Sequence, residues 1–255
     1  MTLKTTIALT IAGFDPSGGA GVLADVRTFA AFGLRASAAI TSITSQNSSD
    51  FLGAVHQSAE VVWAQVEPLL NEFTIACVKT GMLPTRDVVL EVARLFRETD
   101  LPRPVVDPVI MSSSGHRLMD EDAVAELVNE LLPLARLLTP NIREAETLTG
   151  MTIVSEADMR RAAVAIRELG APAVLIKGGH LRTPGAENDE AIDVLDDEGE
   201  VTEFREPRIS GAELHGSGCV LSAAIAAGLG KGMTLEDSVA AAKSFVIEAI
   251  RDSLG

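Results

Sequence analysis

The chain has 255 residues, 47% of them hydrophobic and 22% charged, a length that lets one core bury roughly three quarters of the unfolded surface. Thirty-six acidic against 21 basic residues leave a net charge of −15, which disfavours nucleic acid and anionic membranes as partners. Two cysteines are too few for a disulfide framework and point to a reducing, cytoplasmic setting, and no run approaches the ~18 apolar residues of a membrane span.

The first apolar run, Thr6–Ala12, follows Lys4 and ends at Gly13-Phe14-Asp15-Pro16 with no cleavage-like region, so it reads as a buried strand rather than a leader. A helix is predicted over Ala20–Phe32, a strand over Ala36–Thr44 and a helix over Ala59–Asn71. Next come a strand at Ile75–Val78, with Cys77 as a core residue, and a helix over Arg86–Glu98. The second half continues with strands at Pro104–Val106, Arg136–Leu138 and Ala173–Ile176, and helices at Asp120–Leu132, Asn141–Leu148 and Glu156–Leu169. Strands alternating with helices imply parallel βαβ units and a sheet covered on both faces. Runs at Ala191–Leu195 and Glu200–Phe204, separated by Asp196-Asp197-Glu198-Gly199, read as an antiparallel hairpin. Two helices, Cys219–Leu229 and Leu235–Leu254, close what reads as one domain spanning 1–255.

Ligands of such sheets bind outside the carboxyl ends of the strands, where the polar and glycine-rich segments of this chain collect. The loop Gly13–Gly21 invites a nucleotide, but Gly18 is followed by Gly19-Ala20, which excludes a P-loop. Gly19-Ala20-Gly21-Val22-Leu23-Ala24 fits the dinucleotide pattern formally, yet the second strand ends in Thr44-Ser45-Gln46-Asn47, where a ribose-binding acid is required, and this argues against NAD.

The most informative run is His215-Gly216-Ser217-Gly218-Cys219, a glycine turn feeding a helix N-terminus. Free amides and the positive end of the dipole make such a turn an anion site, and the same field is expected to lower the pKa of the Cys219 thiol. A plain helix start with an inert cysteine explains the segment equally well. Asn141 and Glu144 share a helix face, suited to a water-mediated Mg²⁺ between phosphates or to an ordinary first turn. Lys177 at a strand end can reach a phosphate or stay solvated, and Asp107 before Pro108 can assist a metal or form a turn. Asp25 and Gln46 suit a heterocycle bearing an amino group, although Asp25 also fits an exposed helix position.

The motifs in order resemble the hydroxymethylpyrimidine/phosphomethylpyrimidine kinases, of the ribokinase-like superfamily. The resemblance runs from Ala8–Gly21 through Ala24–Phe29, Ser45-Gln46-Asn47, Lys79–Leu83, Val106–Val109 and Leu138–Asn141 with Glu144, to Lys177–His180 and His215–Cys219. It implies a three-layer α/β/α fold with a mainly parallel central sheet and a small antiparallel β element. The implied activity is ATP-dependent phosphorylation of a hydroxymethylpyrimidine and then of its monophosphate, with Mg²⁺, in a cytoplasmic homodimer. By the same resemblance Gly216, Ser217 and Gly218 form the anion hole and Cys219 stands where sugar-kinase relatives place an aspartate base. Asn141 and Lys177 fall on the nucleotide side, Glu144 and Asp107 on the metal, and Gly13, Asp25, Gln46, Met82 and Val109 around the pyrimidine.

The chain also departs from that pattern. Phe14 replaces a small hydroxyl residue, Leu23 a glutamine and Ser217 a threonine; Ser112–Gly115 lacks the usual lysine, and the sequence stops at Gly255 without the Gly-His-Gly-x-Gly-Pro-like tail common in the family. The rivals are a pyridoxal kinase, against which Gln46 argues, and a non-catalytic vitamin-binding relative. Met111–His116 is expected to act as a lid, and the scattered His56, His116, His180 and His215 suggest no zinc site.

Overall fold

Nine strands form one sheet in the order β3-β2-β1-β4-β5-β6-β7-β8-β9 in a computed structural model that describes residues 4–47, 50–112, 115–179, 181, 190–209 and 215–252. The strands are β1 (Thr6–Phe14), β2 (Ala36–Gln46), β3 (Phe51–His56), β4 (Thr74–Thr80), β5 (Val105–Val106), β6 (Leu137–Leu138), β7 (Ala173–Ile176), β8 (Glu190–Asp197) and β9 (Glu200–Pro207). From β2 through β1 and β4 to β7 every pairing is parallel; β3, β8 and β9 join by antiparallel pairings at the two edges. The β8–β9 hairpin turns at Glu198 and Gly199, both with positive φ (55° and 99°), as a two-residue turn matched to strand twist requires.

Alternation within the strands sorts the core into two layers. Leu9, Ile11, Val78, Val106, Leu138, Val174 and Ile176 face one side, where α2 (Ala59–Glu72), α3 (Arg86–Glu98), α4 (Glu121–Glu126), α5 (Ile142–Thr149) and α6 (Glu156–Glu168) cover them. Ala8, Cys77, Val105, Leu137, Ala173 and Leu175 face the other, against α1 (Gly21–Ala31), α7 (Ser217–Gly230) and α8 (Leu235–Asp252). Helix α7 is buried along Leu221–Gly228, which is why its sequence is apolar and small on all sides rather than striped.

Two expectations change. The predicted helix at Asp120–Leu132 breaks into α4, a π turn at Leu127–Leu131 and a 3-10 turn at Leu132–Leu134. Pro133 has no N–H to continue an α ladder, so the turn ahead of it widens. Strand β3 was not anticipated; it pairs antiparallel with β2, Ile43 opposite Val55 and Ser42 opposite His56. The antiparallel part of the sheet is therefore not confined to the β8–β9 hairpin. Among the described residues no helix is long and apolar enough to cross a membrane.

Candidate active site

The carboxyl ends of β1, β4, β5, β6 and β7 and the N-terminus of α7 converge on one cluster of charges. Lys79, inside central strand β4, is 0% exposed and donates from Nζ to both oxygens of Asp25 on α1, each at 2.9 Å. Thr10 Oγ1 on β1 donates to Asp25 Oδ2 at 2.6 Å. Burial raises the pKa of the Asp25 carboxyl, while Asp25, Cys219 and Asp107 overcome the lowering effect of burial on Lys79 and hold it protonated. These two shifts favour different protonation states for the pair. Geometry decides for the ion pair, because both Asp25 oxygens accept from the ammonium and neither is free to carry a proton.

A second pair, with its lysine half-buried, stands beside the first. Lys177, bridging off the end of β7, donates from Nζ to Asp107 Oδ1 at 2.9 Å. Thr139 Oγ1 also donates to Oδ1, at 3.2 Å, while Ser222 Oγ of α7 lies 3.4 Å from Oδ2 and 3.1 Å from the Cys219 carbonyl, to which it donates. Burial acts to raise the Asp107 carboxyl, but Lys177 and Lys79 prevail and hold it below its ordinary value. The Lys177 ammonium also faces the glycine turn, lying 3.1 Å from where a Cβ on Gly218 would stand.

The turn itself starts at Gly216, whose φ of 79° suits glycine and whose carbonyl accepts the Val220 N–H at 3.0 Å. A Cβ at Gly216 would overlap the Gly19 carbonyl, so the two glycine loops approach at van der Waals limits. Asp15 fastens them: its carboxylate accepts from Ser17 N, Ser17 Oγ and Ala20 N, each at 2.9 Å, and contacts His215 Nε2 at 3.2 Å. His215, expected to have only a surface or loop role, is half-buried in this latch.

Cys219 occupies the first turn of α7, half-buried. The expectation of a lowered thiol pKa is overturned: burial pushes the thiol up to about 11, with Asp107 and Asp25 adding to the effect against Lys79. Cys77 is core, as expected, its thiol pushed up to about 12 by burial.

Asn141 and Glu144 form a capping box at the start of α5, Asn141 N donating to Glu144 Oε2 at 2.8 Å and Glu144 N to Asn141 Oδ1 at 2.9 Å. Burial, reinforced by Asp107, pushes the Glu144 carboxyl up to about 7 against the pull of Lys177. Two carboxylates thus share one lysine, a deficit of positive charge that suits a divalent cation. Among the described residues, however, no three His, Cys, Asp or Glu side chains are grouped to hold an ion directly. Asp107 Oδ1 is taken up by Lys177 and Thr139, which weakens the role expected of Asp107 as a metal ligand; Glu144 fits contact through water.

The residues expected around a pyrimidine divide. Met82 lies beside Gly13, its Sδ 3.2 Å from where a Cβ on that glycine would stand, so glycine is what leaves it room. Val109 is half-buried just beyond Asp107, and Gln46 ends β2, two residues past Thr44, which donates to the Phe14 carbonyl at 2.9 Å. Asp25 is the exception: it is neither exposed nor free, and is wholly enclosed by Lys79 and Thr10. Its expected substrate contact gives way to holding Lys79. Lys79 is the buried charge in this cluster to which sequence reasoning gave no role. The signal was present, since a lysine following an apolar central run must find a buried partner.

Of the expected lid, Ser113 and Ser114 lie outside the described residues; Met111 pairs with Arg117 across them and Ser112 N donates to the His116 carbonyl at 2.8 Å. Two concavities, about 440 Å³ against Arg160 and Arg161 of α6 and about 220 Å³ beside Cys77 and Arg136, lie away from the strand ends. Chemistry, rather than hollowness, marks the site.

The chain is similar to known proteins along nearly its whole length. Residues 15–255 match the family model described as phosphomethylpyrimidine kinase. The hydroxymethylpyrimidine/phosphomethylpyrimidine kinase of Rhizobium meliloti is 44% identical over 96% of this chain and 91% of its own length. The crystal structure of phosphomethylpyrimidine kinase from Clostridium difficile superposes with a TM-score of 0.83 at 35% identity, covering 97% of this chain and 100% of that one. A pyridoxal kinase from Staphylococcus aureus, solved with AMP-PCP and pyridoxal, gives a TM-score of 0.84 at 30% identity, covering 98% and 88%.

Proposed function

This chain belongs to the phosphomethylpyrimidine kinase family, and from that premise we propose how its residues carry out the transfer. The enzyme phosphorylates 4-amino-5-hydroxymethyl-2-methylpyrimidine and then its monophosphate, with ATP as donor, in thiamine biosynthesis. The observation that carries the mechanism is the placement of the Lys177 ammonium against Gly218 of the Gly216–Cys219 turn, with the charge of the buried Lys79 acting on the Cys219 thiol.

In the first transfer the substrate hydroxymethyl oxygen forms a bond to the γ-phosphorus while the bond from that phosphorus to the ADP oxygen breaks. The hydroxyl proton passes to the thiolate form of Cys219, which becomes the neutral thiol. The amides of Gly216, Ser217, Gly218 and Cys219 face the charge that spreads over the transferring group, and such donors are worth roughly 10²–10³ in rate apiece. Lys177 holds the phosphate side of the nucleotide, with Asn141 at the neighbouring helix start. Glu144 would hold Mg²⁺ through water, and the ion would supply charge neutralisation to the phosphates. Lys79 places a fixed positive charge behind Cys219, and Asp25 holds Lys79 in place.

Gln46, Gly13, Met82 and Val109 face the pyrimidine. Gln46 reads the ring through its amide, so Gln46→Ala is expected to raise the pyrimidine KM about tenfold, the worth of a lost hydrogen bond pair, with KM for ATP unchanged. An unchanged pyrimidine KM in steady-state assays would remove that role.

The pyridoxal kinase likeness gives the alternative substrate a concrete basis. Mg-ATP offered with hydroxymethylpyrimidine and with pyridoxal in separate reactions, products resolved by mass, decides between them. Pyrimidine mono- and diphosphate are expected; pyridoxal phosphate alone would overturn the substrate, and no product from either would overturn the activity.

The enzyme acts in the cytoplasm as a homodimer. Supporting the dimer, Ile43 and Val55 lie opposite each other on β2 and β3 and are 49% and 68% exposed, with Leu52 at 78%. Sedimentation should give twice the chain mass, and Ile43→Lys with Val55→Lys should halve it.

A further inference from the structure

Another buried ion pair stands outside the catalytic cluster and reaches into it through one backbone amide. Lys243 of α8 donates to Asp193 Oδ2 of β8 at 2.7 Å and to the Phe204 carbonyl of β9 at 3.1 Å. The other Asp193 oxygen, Oδ1, accepts the N–H of Gly178 at 2.8 Å. Both side chains belong to residues only 7% exposed. Gly178 directly follows Lys177, whose ammonium meets Asp107 at 2.9 Å and faces Gly218.

The approach at Gly178 is as close as backbone allows. A Cβ there would overlap the Ile192 carbonyl oxygen and stand 2.9 Å from Met159 Cε, so only glycine lets the chain lie against β8. Beyond it, Arg208 donates to the carbonyls of Gly179, Leu181 and Glu190, the last two at 2.8 and 3.1 Å. The peptide leaving Lys177 is therefore held from β8 on one side and from the end of β9 on the other.

We infer that Asp193, set in place by Lys243, is a positioning residue for Lys177: by accepting the Gly178 N–H it fixes where the Lys177 side chain leaves the sheet toward the nucleotide phosphates. Lys243 has a second part in this. It neutralises Asp193, so that a carboxylate can support a phosphate-side loop without repelling the phosphates. The inference rests on the reading of Lys177 given above, and its test separates the two.

The comparison is between two double variants of the full chain that both remove the buried charges. Asp193→Asn with Lys243→Met keeps an oxygen for the Gly178 N–H; Asp193→Leu with Lys243→Met does not. Replacing a buried pair with apolar or neutral groups is often tolerated, so both are expected to melt within a few degrees of each other. The first should keep KM for ATP near the native value, and the second should raise it about tenfold, with the pyrimidine KM unmoved in both. Should the leucine variant fail to fold, Asp193→Ala with Lys243→Met makes the same comparison. Equal KM values for ATP in the two doubles, or an equal rise for both substrates, would overturn the inference. Lys177→Met, assayed alongside, identifies what failed. If it raises KM for ATP while the doubles coincide, only the Asp193 link falls; if it leaves that KM unmoved, the nucleotide role of Lys177 falls and the inference with it.

Discussion

Cys219→Ala is expected to lower kcat by roughly 10²–10⁴-fold while KM for ATP and for the pyrimidine change by no more than about twofold. In its thiolate form Cys219 takes the substrate proton but contributes little to ground-state binding, so its loss should appear in turnover. The pH dependence carries the sharper signature. With the thiol pushed up to about 11 by burial, the thiolate fraction grows about tenfold per pH unit across the whole neutral range. The native enzyme should therefore show kcat/KM rising with pH through neutrality, and Cys219→Ala should lose that limb. A variant that keeps native turnover, or the same rising limb, would take Cys219 out of the mechanism. The high thiol pKa also fits the chemistry. In a loose phosphoryl-transfer transition state the acceptor oxygen sheds its proton late, when it is most acidic, so a scarce base costs less than it would in an early deprotonation.

Much of this site was legible in the sequence because backbone geometry and motif order carry it. Gly216 is where the chain needs a positive φ and a close approach to Gly19, and both demands exclude side chains. Asn141 and Glu144 announce a helix start by their spacing alone, and the structure finds the capping box there. The strand alternation that predicted a sheet covered on both faces is what divides Leu9 from Ala8 and Val78 from Cys77 between two cores. The electrostatics were less legible. Whether Asp25 meets a substrate or a lysine depends on Lys79 arriving from 54 residues away, a separation no local pattern reports. The Cys219 pKa likewise depends on how tightly α1, β4 and α7 close around the thiol, so a field read from the helix start alone gave the wrong direction. Strand β3 was missed because its stability comes from pairing with β2 rather than from its own sequence, Leu-Gly-Ala-Val being weakly patterned.

Lys79→Met should produce the largest loss of stability of any substitution considered. It leaves the Asp25 carboxylate buried with Thr10 as its remaining donor, and breaking a buried pair in this way costs roughly 3–5 kcal/mol, or about 10 °C in Tm for a chain of this size. Asp25→Asn added to Lys79→Met removes the stranded charge and should recover most of that Tm. Activity should not recover with it. Among the charges acting on the Cys219 thiol, Lys79 lowers its pKa and outweighs Asp25, which raises it. Deleting both therefore leaves the thiol higher than about 11, and the rising limb of kcat/KM moves to still higher pH. Calorimetry and a pH profile on the double variant thus read two different quantities, fold stability in the first and the charge behind the thiol in the second. Recovery of native kcat together with native Tm would mean that the Lys79–Asp25 pair only fills the core. Recovery of Tm alone places Lys79 in the reaction, as the fixed cation that makes a desolvated cysteine a usable base.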